Sequence, residues 1–315
     1  MKKGAGNLEA ILILAVVVFI FLASPRGSTP PPATGSNPVG GWLPGPSLFG
    51  GGSSSSGNTS SGGNYTSRGL SLGSGNASYA YQPYQEYVTL RNDGDTTIDV
   101  TGWQLRNGKD KRTYDQGGML QRYSADIAAI PQATFLLSPT GGSTMRDVTL
   151  APGEQAILTT GSIGAQTPYK ITSFKENACT GYIGGLNDYS FAPPLSSSCP
   201  DPSNEPGFSS LDTQCRSFVR SMYSCTTPKF DRTDNNGETC ETCINGTRLS
   251  SSCAAFIKSH FSYQGCIAYH AGDKNFNSGR TWRIFLNHPW EMWAPDYESI
   301  ELFDRSGNLV SSTSY

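Results

Sequence analysis

Hydrophobic and polar positions divide the chain into stretches with different periods. Residues 10–23 are continuously apolar, and residues 24–75 show no periodicity and consist mostly of Gly, Ser and Pro. From residue 76 onward, short alternating runs are interrupted by turn residues about every eight to twelve positions, which is typical of a β-sandwich. The pattern predicts a mainly β fold behind an apolar N-terminal segment.

Several segments have the alternation expected of strands. Tyr87–Leu90 and Ile98–Leu105 flank the turn residues Asn92–Asp95 and predict a hairpin. We expect Trp103 to fill the space between two sheets. Turns are predicted at Pro152-Gly153 and Ser306-Gly307. The remaining predicted strands are Ala133–Leu137, Asp147–Thr160, Thr281–Asn287, Tyr297–Asp304 and Asn308–Tyr315.

One stretch within the β pattern has helical spacing instead. The sequence Leu211-x3-Cys215-x2-Phe218-Val219 recurs as Leu249-x3-Cys253-x2-Phe256-Ile257, which places each set on one helix face. The repeat predicts two short helices, the second with Ser250–Ser252 as candidate caps. The stretch is also rich in polar residues, so we expect it to bury little apolar surface and to depend on cross-links.

All the cysteines of the chain lie in or beside this stretch. They are Cys179, Cys199, Cys215, Cys225, Cys240, Cys243, Cys253 and Cys266. An even number confined to one segment of an exported chain predicts disulfides. A straight helix over 215–225 would separate its two cysteines by about 15 Å, too far for a bond. Crossed bonds, Cys215 to Cys266 and Cys225 to Cys253, would suit a helix hairpin.

The C-x-x-C sequence at Cys240 and Cys243 allows three interpretations. It is a structural disulfide, half of a zinc site completed by His260 or His270, or a redox pair. The surrounding sequence lacks the βαβ pattern of thioredoxin-like redox proteins. Export of the chain favours the structural disulfide.

The N-terminal apolar run also allows three interpretations. Its fourteen residues would rise about 21 Å as a helix, less than the roughly 30 Å of a bilayer core. It is an uncleaved anchor, a signal peptide, or a pilin-like segment cut after Gly4, which would place Glu9 fifth in the mature chain. In each case Lys2 and Lys3 stay in the cytoplasm and the rest of the chain is exported.

These patterns predict four parts of the chain. Residues 1–24 form a membrane anchor or signal segment, expected as a transmembrane helix. Residues 25–75 form a Gly/Ser/Pro-rich disordered linker. Residues 76–315 form the β-sandwich, and residues 177–266 form a Cys-rich helical insertion within it.

Charge and motif content exclude several classes of function. Lys and Arg number 23 against 25 Asp and Glu, so no basic surface for nucleic acid is expected. The chain has three His and no G-x-S-x-G, H-E-x-x-H or P-loop sequence, and no catalytic, cofactor-binding or metal residue is assigned. Asp93, Asp95 and Asp99 could offer oxygens to calcium, but their spacing favours a turn. A secreted enzyme with an unrecognised site is an alternative.

The segment HPWEMWAPDY contains the best candidate for a binding surface. Trp290, Trp293 and Tyr297 lie within eight residues of one another and would form an aromatic platform for a sugar or a protein. Packing in the core or at a sheet edge is the interpretation that we favour for these aromatic residues.

Four motifs together resemble a known family. They are E-Y-V-x-L-x-N…G-D-T-x-x-D-x-x-G-W-x-L (Glu86–Leu105), L-x-P-G-E (Leu150–Glu154), W-R-I-F-L (Trp282–Leu286) and S-I-E-L-x-D-x-x-G-x-L-V (Ser299–Val310). This set is similar to the lamin tail domain, found in nuclear lamins and in bacterial surface and secreted proteins. The resemblance covers about residues 80–165 and 266–315. It implies an immunoglobulin-like β-sandwich with a binding or scaffolding role and no shared catalytic residues.

The sequence therefore predicts a single-pass, membrane-tethered bacterial protein with its C-terminal domain outside the cytoplasm. Its expected role is binding or structural, through protein or glycan contacts at the cell surface. No enzymatic activity is expected. A type IV pilin-like subunit is the alternative.

Overall fold

The computed structural model describes residues 69–315 apart from 112, 123, 139–141, 164–168 and 187–188. The predicted membrane segment and nearly all of the predicted linker lie outside the described residues. Across the described part of the chain, no helix is both long enough and apolar enough to cross a bilayer.

The described part of the chain is mainly β, with a few short helices. The strands are β1 (Leu70–Gly73), β2 (Tyr87–Asn92), β3 (Ile98–Asp99), β4 (Gln104–Asn107), β5 (Thr113–Gln116), β6 (Met119–Arg122), β7 (Ile127–Ala129), β8 (Thr149–Leu150), β9 (Gln155–Thr159), β10 (Phe174–Lys175), β11 (Cys243–Ile244), β12 (Thr247–Arg248), β13 (Thr281–Phe285), β14 (Ser299–Phe303) and β15 (Leu309–Ser314). The α-helices are α1 (Gly181–Gly184), α2 (Thr213–Arg220), α3 (Ser251–His260) and α4 (Tyr263–His270). Single 3-10 turns span Gly108–Lys111, Pro202–Asn204 and Phe208–Ser210.

Two sheets form the larger part of the structure, and we call them together the two-sheet module. The five-stranded sheet has the order β1-β2-β9-β13-β10, in which β9 and β13 run parallel and the other neighbours antiparallel. The four-stranded sheet is antiparallel, with the order β15-β14-β4-β7. The short pairs β3-β8, β5-β6 and β11-β12 lie outside both sheets.

One apolar core joins the two sheets, and strand alternation supplies it. Val88 and Leu90 of β2 and Ile300 and Leu302 of β14 are fully buried members of this core, which contains no cysteine. Trp103 is 4% exposed and belongs to the same cluster, which confirms its predicted core position. Burying a side chain of this kind contributes roughly 2–3 kcal/mol.

Two strand predictions and one predicted boundary differ from the structure. The predicted hairpin is wrong, because β2 lies in the five-stranded sheet and β4 in the four-stranded one. Asn92 stabilises the crossing between them, since its side-chain amide donates to the carbonyls of Thr96 and Leu150, at 2.7 Å each. Ala133–Leu137 is not a strand and makes only isolated bridges. The linker does not extend to residue 75, because β1 already pairs with β2.

The predicted insertion follows β9 and precedes β13, the two parallel strands. It has a core of its own that includes aromatic residues from its helices, together with Phe174 of β10 and Phe285 of β13 in the five-stranded sheet. The two predicted helices are present as α2 and α3, capped by the side chains of Asp212 and Ser250. The expectation of little buried apolar surface is wrong, because the aromatic residues are spread along the sequence and meet only in the fold.

Four disulfides cross-link the insertion, and the described residues contain no free cysteine. The pairs are Cys179–Cys266, Cys199–Cys225, Cys215–Cys253 and Cys240–Cys243. The prediction of disulfides is confirmed, but the crossed pairing is wrong. Helix α2 ends at Arg220, so Cys225 lies beyond it in a turn, where it reaches Cys199 instead of α3.

Candidate functional site

Three long connections meet at one end of the two-sheet module, which we call the loop end. Tyr87 of β2 lies opposite Thr159 of β9, and Phe285 of β13 lies beside the same residue, so these strands share this end. The connections are residues 74–86, 108–126 and 286–298. Hydrogen bonds join the third connection to each of the other two.

Glu86 fixes the third connection to the sheet. Its buried carboxylate accepts hydrogen bonds from the Thr160 hydroxyl at 2.6 Å and from the backbone N–H groups of Met292 at 2.8 Å and Trp293 at 3.3 Å. Burial raises the pKa of Glu86, and these bonds oppose that effect only in part. The segment around residues 292 and 293 is therefore held against the start of β2.

Trp290 is exposed but held in place by its neighbours. Its side chain is 56% exposed, and its indole N–H donates to Asp126 Oδ1 at 3.2 Å. The His288 ring lies edge-on to the indole at 5.0 Å, and Nδ1 of His288 is 2.9 Å from the Trp290 carbonyl oxygen. Because these contacts fix the indole in advance, a ligand stacking on it would lose little side-chain entropy.

Asp126 links Trp290 to the second connection. Its Oδ2 accepts from Lys109 Nζ at 2.8 Å and from Asn107 Nδ2 at 2.8 Å. Burial alone would raise the pKa of Asp126, but the bonds from Lys109 and Trp290 outweigh it and hold that pKa below its usual value. The carboxylate is therefore ionised at neutral pH. The loop end thus offers an aromatic face beside a paired carboxylate, which suits binding by stacking and hydrogen bonding.

The structure divides the three residues predicted as a binding surface. Trp290 is exposed, and Tyr297 is 85% exposed at the same end. Trp293 is only 3% exposed and belongs to the core between the sheets, so its inclusion in a surface is wrong. Glu86 accepts a hydrogen bond from the backbone N–H of Trp293, and the indole ring of Trp293 packs in the core. The spacing of residues within HPWEMWAPDY does not reveal this placement.

Other exposed apolar residues at the loop end were missed from the sequence. They are Tyr79 and Tyr81 of the first connection, Met119 and Leu120 beside the β5-β6 turn, and Ile127 at the start of β7. The Gly117-Gly118 pair ahead of Met119 has positive φ at both residues and is a hairpin-turn signal that could have found them. Most exposed large apolar side chains of the described residues belong to this end.

Two of the three candidate calcium ligands, Asp93 and Asp99, serve other contacts, and the third, Asp95, is exposed. Asp93 pairs with Arg91 at 2.6 Å and accepts from the Ser71 hydroxyl, and Asp99 pairs with Arg305 at 2.6 Å. Within the described residues, no group of three or more potential metal-ligating side chains converges. Turn and ion-pair chemistry accounts for Asp93 and Asp99.

The C-x-x-C pair and the histidines also have structural partners. Cys240 and Cys243 are bonded to each other beside the β11-β12 hairpin, so neither sulfur is a thiolate available to zinc. His260 is buried and stacks between the rings of Phe256 and Tyr269, with ring centroids 4.1 and 3.9 Å from its own. His270 is bonded to carboxylates: Nδ1 lies 2.7 Å from Asp273, and Nε2 lies 3.2 Å from Glu205.

Comparisons with protein-family models, curated proteins and solved structures found no match to this chain.

Proposed function

We infer that this chain is an extracytoplasmic binding module that is tethered to a membrane and contacts a protein or a glycan through its loop end. It acts by binding and not by catalysis. The observation that carries the proposal is Trp290, an exposed indole fixed by Asp126 and His288. Exposed, pre-ordered aromatic side chains are the usual anchors of protein interfaces and of sugar stacking.

The point where the linker enters supports this function. Gly69 precedes β1, and its carbonyl accepts from the N–H of Asp93 at 2.7 Å, at the end opposite the loop end. Since β2 spans six residues, the two ends are about 20 Å apart. The linker is therefore attached to the described residues at the end opposite the loop end.

The roles of the motif residues support a lamin-tail-like, immunoglobulin-like sandwich as the fold. Glu86 and Asn92 are buried and hydrogen-bonded, and Trp103 lies in the core. Glu154 of the second motif accepts from the indole N–H of Trp282 in the third, at 3.4 Å. These positions stabilise a fold, which explains the motif residues without any catalytic role.

Site-specific photo-cross-linking in cells tests the proposal directly. Benzoylphenylalanine replaces Tyr297 at the loop end of the full chain or, as the matched control, Leu309, which is exposed near the opposite end. We expect an adduct from position 297 that is lost when Trp290→Ala is added, and none from position 309. Equal adducts from both positions, or an adduct at 297 that does not depend on Trp290, would contradict the proposal.

The membrane tether has a separate test. Protease added to intact spheroplasts should cut within residues 24–68 and release a soluble fragment. Protection of that stretch would reverse the proposed sides of the membrane. A mature chain that begins at Ala5 would favour the pilin-like alternative, because that cleavage places Glu9 fifth.

A further inference from the structure

A groove separates the two-sheet module from helix α4 of the insertion. It has a volume of about 600 Å³, within the range of about 300–1,000 Å³ usual for small-ligand sites. Phe135, Leu136 and Leu137 form one wall, and Ile267 and Ala268 of α4 form the other. Leu136 is 40% exposed in this groove, although it follows buried residues of the same segment.

Hydrogen bonds hold both walls of the groove. The N–H of Leu137 donates to the Tyr263 hydroxyl of α4 at 3.1 Å, and Asn177 Nδ2 donates to the Phe135 carbonyl at 3.0 Å. The Phe135 ring packs against Trp282 of β13, with ring centroids 5.5 Å apart. The groove is therefore part of the native packing between the two regions and does not need a ligand to form.

One cation lines the groove without an acidic partner. The Arg146 guanidinium lies 5.8 Å from the centroid of the Phe135 ring. Arg146 is exposed, and no carboxylate among the described residues forms an ion pair with it. Gln264 also lines the groove and adds a neutral polar group.

We propose that this groove binds an amphipathic organic anion, with its apolar body between Phe135 and Ile267 and its carboxylate or sulfonate at Arg146. The apolar walls would bind the apolar body of such a ligand, because their contact removes apolar surface from water. The Arg146 guanidinium would bind the anionic group of the ligand, because it can donate two parallel hydrogen bonds to a carboxylate. The site is distinct from the loop end and does not depend on the proposed function.

Displacement of a fluorescent probe tests this site on the oxidised full chain. The probe is anilinonaphthalene sulfonate, and the competitors are octanoate and its neutral counterpart octan-1-ol. Arg146→Gln should also bind the probe's sulfonate more weakly, so competitor affinities are calculated with the probe affinity of each variant. The affinity for octanoate should fall about tenfold and that for octanol should stay unchanged, since a charge-assisted contact contributes about that much. Arg232→Gln is the matched control, because it removes the same charge from an exposed loop of the insertion.

A second variant tests the apolar wall. Ala268 is exposed on α4, so Ala268→Trp should fill the groove without disturbing the core and should abolish both probe binding and displacement. No probe binding to the wild-type chain would overturn the proposal. Equal loss of octanoate and octanol affinity in Arg146→Gln, or unchanged binding in Ala268→Trp, would overturn it as well.

Discussion

The two-sheet module and the insertion are stabilised in different ways. The module's core holds aliphatic side chains and three tryptophans supplied by alternating strands, and no cysteine. The insertion's core mixes Phe, Tyr and Ile with cystines, and its longest helix has ten residues. Helices shorter than about 12–15 residues are marginal by themselves, so the cross-links and the aromatic packing supply the order that helix formation cannot. The strands of the module pair across sheets, and its core contains no cross-link.

A buried ion pair joins the two regions. Arg283 of β13 points away from the core between the sheets and pairs with Glu176 at 2.5 Å. It also donates to the carbonyls of Pro193 and Pro194 in the insertion, at 2.6 and 2.8 Å. One strand therefore serves both cores, since its neighbours Trp282 and Ile284 face the module and Phe285 faces the insertion.

The largest expected effect on stability comes from removing the disulfide that closes the insertion next to the module. Cys179–Cys266 closes 87 residues of chain, so replacing both with Ser should destabilise the insertion by about 4–5 kcal/mol. The matched control is the Cys240→Ser and Cys243→Ser pair, which opens only three residues and should cost about 2 kcal/mol. Urea unfolding of the two double variants measures the difference, and equal losses would contradict the chain-entropy account.

A substitution in the core of the two-sheet module tests how far that region depends on apolar packing. Trp103→Ala should lower the free energy of unfolding of the module by about 3–5 kcal/mol, because it leaves a cavity between the sheets. Chemical denaturation followed by tryptophan fluorescence gives the value. A loss below about 1 kcal/mol would show that Trp103 contributes little to this core.

Much of the two-sheet module could be predicted from the sequence, because alternation and Gly turns are local signals. Strands β13, β14 and β15 and the core position of Trp103 follow from them. Sheet membership could not be predicted, since the crossing after β2 depends on long-range bonds from Asn92. Disulfide pairing is equally non-local and was predicted wrongly. Of the candidate site, the sequence indicated Trp290, but only the fold separates it from buried Trp293.

Removing the ion pair between Arg283 and Glu176 tests whether the two-sheet module and the insertion stabilise each other. Arg283→Gln leaves the buried Glu176 carboxylate without its cation and should cost about 3 kcal/mol, mainly in the insertion. The nearby control Arg280→Gln loses only an exposed bond to the Pro152 carbonyl and should change stability by less than about 1 kcal/mol. Denaturation midpoints compare them. If Arg283→Met with Glu176→Leu is as unstable as Arg283→Gln, the cost does not come from the unpaired charge.

The smallest expected effect depends on pH and lies in the insertion. Burial lowers the pKa of His270, but its bonds to Asp273 and Glu205 outweigh burial and raise that pKa above 6.5. Protonated His270 therefore stabilises the folded state fully below pH 6.5, and this contribution is lost as pH rises through the folded-state pKa. The gain is about 1 kcal/mol or less. Urea midpoints between pH 6 and 8 should fall more for wild type than for His270→Gln, and parallel curves would exclude this role.

Hydrogen exchange under reduction tests the difference between the two regions most directly. Mass spectrometry follows the amides of the oxidised chain and of the chain with all four disulfides reduced. We predict that reduction raises exchange across α2, α3 and α4, while β2, β9 and β14 keep their protection because their core contains no cysteine. Loss of protection in both regions together would show one cooperative unit, and unchanged exchange in the insertion would show that its apolar core suffices without cross-links.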